Sequence, residues 1–143
     1  MALFGRLNEA SQSALKDHVR PLFAKHGLQG GEFDVLATLR RSGPPYALNP
    51  TALYEATMVT SGAMTARLDK LEKAGWIERR RDSNDRRGTI IVLTPAGLGL
   101  METLVPLHVA NQARLLAGLT SDERTRLTEL LGKLVQGINE TNR

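Results

Sequence analysis

Five arginines surround a short polar turn in the segment RRRDSNDRRGT, residues 79–89. Arginine carries a planar fork of donors suited to phosphates and base edges. A two-stranded wing tipped with arginine can lay a guanidinium in a minor groove, where a narrow groove concentrates negative potential, while neighbouring arginines hold phosphates. Arg86 and Arg87 occupy the tip, and Arg79, Arg80 and Arg81 precede it as phosphate or structural contacts. Asp82 and Asp85 are out of place on a nucleic-acid surface unless they brace the wing, by holding an arginine fork or by accepting from loop N–H groups. A solvated hairpin laced with weak surface ion pairs would have the same composition.

A second set of residues lies just upstream, in SGAMTARLDKLEKA, residues 61–74. Met64, Leu68 and Leu71 form an i, i+4, i+7 stripe. With that stripe turned to a core, 100° per residue sends Gly62, Ala63, Ala66, Asp69, Lys70 and Lys73 outward, with Ser61, Thr65 and Arg67 on the flanks. The outward residues near the helix start are small. Small residues let a helix backbone approach a groove floor, where a methyl can touch thymine and Ser, Thr or Arg can hydrogen-bond bases. An ordinary solvated helix is the plainer account of the same residues.

The elements that must position these groups follow from periodicity and punctuation. Apolar residues at helical spacing predict a first helix over 6–25, bent near Pro21, and a second through Phe33, Leu36 and Leu39 that stops at Gly43, Pro44 and Pro45. Asn49 and Pro50 make a cap and first position for a short helix to about Ala56. Thr60 or Ser61 caps the next helix, which Gly75 ends. Two helices joined by a tight turn form a helix-turn-helix. WIERRR and TIIVLT flank the arginine turn as strands of a hairpin. Thr94 and Pro95 open a long helix, bent at Pro106, and TSDE at 120–123 is a capping box for the last. The predicted fold is mostly α with a small β-hairpin, a winged helix-turn-helix with helices at both ends.

Length, charge and residue usage narrow the function classes. The 143 residues carry a formal net charge of +4, so a polyanionic partner is favoured only modestly by the balance itself. The absence of cysteine excludes disulfides, thiolate zinc sites and thiol redox chemistry within this chain. The N-terminal stretch lacks a signal-peptide apolar region and no later run approaches a membrane span, so a soluble cytoplasmic protein is expected. His18, His26 and His108 form no paired ligand motif, and no metal or cofactor is expected. GxSxG, GxxxxGK[ST] and GxGxxG are all missing, which argues against an enzyme.

From Gly30 through the long helix to the last, the chain resembles the MarR family of transcriptional regulators. The most specific stretch is the wing pattern D-x-R-R-G, Asp85 to Gly88, followed by a strand and LTPAG. The resemblance implies a homodimer of winged helix-turn-helix domains on a pseudo-palindromic double-stranded DNA operator, usually a repressor released by a small, often aromatic and anionic ligand. Residues 1–29 and 96–143 would then be dimerisation helices and 30–95 the DNA-binding domain, with the recognition helix at about 61–74 and the wing at about 76–94. By the same resemblance Arg87 matches the arginine that enters the minor groove and Asp85 the acid that positions the wing, with Arg86 a phosphate or groove-edge contact. Members with a long or amide side chain at the position of Ala66 have no counterpart here. Base contacts are therefore expected from Ser61, Thr65 and Arg67, with Lys70 beside them.

The family's effectors bind in a crevice between the dimerisation helices and the winged domain, which makes His18, Arg20 and His108 candidate lining. Leu3, Phe4 and Leu7, with Leu130, Leu131, Leu134, Val135 and Ile138, give the terminal helices more apolar face than a domain end needs, consistent with two-fold pairing. The alternative is a winged-helix protein-interaction or RNA-binding module without duplex specificity.

Overall fold

The computed structural model describes residues 1–57 and 61–143, with Ser61 described by its backbone alone. The expected cap at Thr60 or Ser61, and the turn between the two helices of the helix-turn-helix, lie outside the described residues. Two compact units divide the chain, Met1–His108 and Val109–Arg143.

The first unit opens with α1 (Ala2–Gln12), a π-helical stretch (Ser13–Val19) and α2 (Arg20–Lys25). The helical run thus begins earlier than residue 6, and its irregularity lies just upstream of Pro21. Proline has no N–H to donate and its ring crowds the carbonyl four residues back; a widened preceding turn relieves both. Next comes α3 (Glu32–Arg41), buried along Phe33, Val35, Leu36 and Leu39, which makes it the central helix of the core.

A two-residue strand, β1 (Ala47–Leu48), is too short to leave a periodic signal, yet it turns the expected hairpin into a three-stranded sheet. The order is β1-β3-β2, antiparallel throughout, with β2 at Ile77–Arg81 and β3 at Thr89–Leu93. Ala47 faces Val92, Ile77 faces Leu93 and Arg81 faces Thr89. Between β1 and β2 lie α4 (Pro50–Thr57) and α5 (Ser61–Lys73). Asn49 Oδ1 accepts from the Ala52 N–H at 2.8 Å, which caps α4.

Helix α5 buries Met64, Leu68 and Leu71 almost completely. It ends in a left-handed turn at Gly75, φ 84°, where the Trp76 N–H donates to Leu71 O at 3.0 Å and the Gly75 N–H to Glu72 O at 3.0 Å. This double closure satisfies carbonyls that a helix end otherwise leaves open.

Helix α6 (Pro95–Leu115) starts on that turn. Thr94 Oγ1 donates to Gly75 O at 2.6 Å and accepts the Gly97 N–H at 3.0 Å, so one hydroxyl closes α5 and opens α6. Gly97 sits where an added Cβ would run into the Trp76 carbonyl oxygen and lie 2.8 Å from Leu93 Cδ1.

Toward the end of this unit His108 packs against two stacked phenylalanines, its ring centroid 5.0 Å from Phe23 and 4.9 Å from Phe33. Its Nδ1 is buried with no hydrogen-bond partner among the described residues. Burial holds the imidazole pKa below the ordinary 6.5, with Asp34 pulling weakly the other way.

In the second unit α7 (Ser121–Thr141) begins with the expected capping box: the Glu123 N–H donates to Thr120 Oγ1 at 3.2 Å and the Thr120 N–H to Glu123 Oε2 at 2.8 Å. Arg124 donates to Leu116 O and Leu119 O in the turn between α6 and α7. Leu127, Leu130, Leu131, Val135 and Ile138 are all exposed along α7. No helix among the described residues is long and apolar enough to cross a membrane.

Two predictions follow from these contacts. Gly97→Ala should cost at least about 2 kcal/mol in chemical unfolding, because the clash is with backbone and no flexible tip can yield; an unchanged midpoint would show that α6 does not dock on Trp76. For His108, the unfolded chain binds a proton near pH 6.5 that the folded chain resists, so stability should fall as pH drops from about 7 through the depressed folded pKa. His108→Leu should flatten that part of the pH–stability curve relative to the parent, as read by thermal melts at a series of pH values.

Candidate nucleic-acid interface

Gly62, Ala63, Thr65, Ala66, Asp69, Lys70 and Lys73 are exposed on α5, opposite the buried stripe. The Ser61 side chain lies outside the described residues. Arg67 takes a different course from its neighbours. It is half-buried, and its guanidinium occupies the place a Cβ on Gly31 would take. Beneath it is Glu32, buried at the start of α3, whose pKa is raised by burial and drawn partly back by the Gln29 backbone and by the charges of Lys70 and Arg67. These residues line an open hollow of about 360 Å³ beside Ala63 and Ala66. Arg67 therefore runs along the flank of α5 toward α3, and glycine at position 31 leaves it room.

The wing is braced through its backbone. Asp82 Oδ1 accepts the Asn84 N–H at 2.9 Å and Asp85 Oδ1 accepts the Arg87 N–H at 3.0 Å. The Asp82 N–H donates to Gly88 O and the Gly88 N–H to Asp85 O, each at 2.9 Å. A Cβ on Gly88 would press on the Cβ atoms of Asp82 and Asp85, at 3.3 and 3.4 Å. Of the two uses open to these acids, among the described residues each bonds a loop N–H group and neither holds a guanidinium.

The five arginines divide by what they touch. Arg79 donates to Asp69 Oδ1 at 2.7 Å and Glu72 Oε1 at 2.9 Å, and its N–H donates to Glu72 Oε2 at 2.9 Å. The Arg79 N–H, and after it the guanidinium, hold the Glu72 carboxyl below the usual carboxylate range. Arg80 pairs with Glu78 on its own strand at 2.6 Å. Arg81, Arg86 and Arg87 are exposed and make no ion pair among the described residues. The face so formed joins a helix crest of small residues and lysines to a hairpin tip carrying two unpaired guanidiniums. Sequence reasoning left the role of Arg79 undecided and passed over Gly31 altogether. Both depend on where α5 meets another element, for which local spacing carries no signal.

The remaining candidates sit elsewhere. Arg20 and Phe23 help line a small, mainly apolar hollow of about 250 Å³, and the same Phe23 ring touches His108. His18 is exposed on the π-helical stretch and does not line that hollow. Among the described residues no group of three His, Cys, Asp or Glu side chains could hold a metal ion.

Residues 26–88, from the end of α2 to the wing tip, match the model of the MarR family. The chain is 42% identical over 113 residues to the HTH-type transcriptional regulator PecS of Dickeya dadantii, covering 79% of this chain and 68% of that protein. It is 33% identical over 131 residues to the multiple antibiotic resistance protein MarR of Salmonella typhimurium, covering 90% and 85%. Among solved structures it resembles a mutant MarR from E. coli complexed with operator DNA, with a TM-score of 0.81, 27% identity and 94% of each chain covered. With the wing pattern, helices α4 and α5 and the three-stranded sheet in place, the chain belongs to the MarR family of transcriptional regulators.

Proposed function

We propose that the chain acts as a homodimer on a pseudo-palindromic operator, as a repressor released by a small aromatic anion. The observation that carries the reading is the joint surface of α5 and the wing: small exposed residues on one, unpaired Arg86 and Arg87 on the other. The α5 crest enters the major groove, where Thr65 and Ser61 reach base edges and Lys70 meets phosphate. Arg87, with its N–H held by Asp85, enters the minor groove, and Arg86 holds the adjacent backbone. Arg67 contributes along the flank, after leaving Gly31 or from beside it. The solved E. coli relative with operator DNA supports this assignment by likeness.

The terminal helices supply the second copy. Leu3 and Phe4 near the N-terminus, and the exposed leucine face of α7, are the apolar surfaces that two-fold pairing would cover. Pairing would set two recognition helices on the order of 34 Å apart, one turn of duplex. The effector enters the hollow that Arg20 and Phe23 help line, where a cation beside the Phe23–Phe33–His108 ring cluster suits an aromatic carboxylate, and His18 and His108 remain candidate contacts outside that lining. Such a ligand releases the operator only by binding better to a dimer whose recognition helices are wrongly spaced.

Affinity for random duplex DNA should fall steeply with salt, and no binding at low salt would refute the DNA reading. Arg87→Ala should weaken operator binding by roughly 1 to 3 kcal/mol with the fold intact. Arg86→Ala should act evenly across sequences and reduce the salt slope; a changed sequence preference would reverse the two roles. Leu130→Asp should shift sedimentation toward monomer and lower operator affinity in parallel.

A further inference from the structure

We infer that Arg79 is a positioning residue that sets the spacing between the recognition helix and the wing, so that Arg87 reaches DNA only while Arg79 is in place. The inference rests on the DNA-binding reading above. Its basis is a junction with three bonds from one residue. Asp69 and Glu72 are three apart on α5, hence on one face, and the single Arg79 guanidinium bridges both at 2.7 and 2.9 Å. The Arg79 N–H adds a third bond, to the other oxygen of Glu72.

The strand context explains why that N–H is available. β2 is an edge strand, since the sheet order is β1-β3-β2, and Arg79 lies opposite Ile91 with its N–H directed to Glu72 on α5. An edge strand leaves such groups unpaired unless something covers them. Here Glu72 of α5 takes one of those groups, at the middle of β2.

Two further features make the contact a spacer as well as a staple. Arg79 is only 28% exposed, so its side chain is constrained, whereas Arg80 on the same strand is 56% exposed and pairs only with its neighbour Glu78. Beyond Arg79 the strand runs on for about 10 Å to the wing tip, whose Asp82 and Asp85 bond the loop and, with Gly88 and Thr89, face the start of α4 across an open hollow. Those bonds shape the tip, whereas the bonds of Arg79 run directly from the wing to α5. Arg79 also neutralises part of the two carboxylates that α5 would otherwise present beside Lys70 and Lys73.

The test is a double-mutant comparison on a duplex selected by the parent chain from a random pool. Arg87→Ala is measured in the parent and in Arg79→Met, with thermal midpoints recorded for every variant. Positioning predicts that Arg87→Ala, which should cost fivefold or more in the parent, costs less than twofold once Arg79 is gone. A similar cost in both backgrounds would overturn the proposal and leave Arg79 a staple for stability alone. Adding Asp69→Asn and Glu72→Gln to Arg79→Met should restore binding to random duplex at low salt but leave the Arg87 effect below twofold. Full recovery of that effect would show that charge neutralisation, and not spacing, is the whole role. Should Arg79→Met fail to fold, Arg79→Lys, which keeps the charge without the two-pronged span, serves in the same comparison with the same criteria. If the parent chain binds no duplex at low salt, the DNA reading falls and this inference with it; binding by the parent with an unaltered Arg87 effect rejects this inference alone.

Discussion

The left-handed turn at Gly75 and Trp76 is the constraint on which the winged part of the fold depends. Helix α5 closes there through two backbone bonds, and the same two residues receive the start of α6. Thr94 hydrogen-bonds to Gly75 O and Trp76 O, and Gly97 admits the Trp76 carbonyl against the first turn of α6. Strand β2 leaves this turn in one direction and α6 docks on it from another. A backbone with positive φ and a helix with no Cβ at the point of contact are both demands that glycine meets cheaply. The LTPAG stretch is thus the part of the chain that fixes the long helix α6 to the end of α5.

From that joint outward, the positions of the charges are set by a division of labour among acids. Asp82 and Asp85 spend their oxygens on loop N–H groups, Glu78 takes Arg80, and Asp69 and Glu72 take Arg79. Isolated surface ion pairs contribute little to stability. Their effect here is on geometry: each acid that is occupied within the fold leaves the guanidiniums of Arg81, Arg86 and Arg87 unpaired among the described residues. A basic surface made this way owes less to an excess of arginine than to where the carboxylates are engaged.

Much of the architecture was legible in the sequence because it rests on short-range rules. The i, i+4, i+7 stripe of Met64, Leu68 and Leu71 is buried, and Asn49, Thr94 and Thr120 cap the helices they precede. Gly75 takes the left-handed turn its position requires. Strand β1 was not legible, since two residues have no period and form a strand only because Val92 and Ile91 lie alongside. The π-helical stretch before Pro21 likewise needs the run of helix around it to be seen.

The sequence by itself determined the order of elements, the face each helix buries, the caps, and the family pattern of the wing, because each depends on residues within a turn or two of one another. Tertiary structure alone decided which arginine is spent and which is left. Arg79 meets carboxylates seven and ten residues away, and Arg67 meets a glycine 36 positions upstream, through a crossing of helices that no local pattern encodes. The same holds for His108, an ordinary histidine in the chain until Phe23 and Phe33 close around its ring and leave its Nδ1 without a partner among the described residues. Charge and composition are properties of residues. Availability is a property of packing.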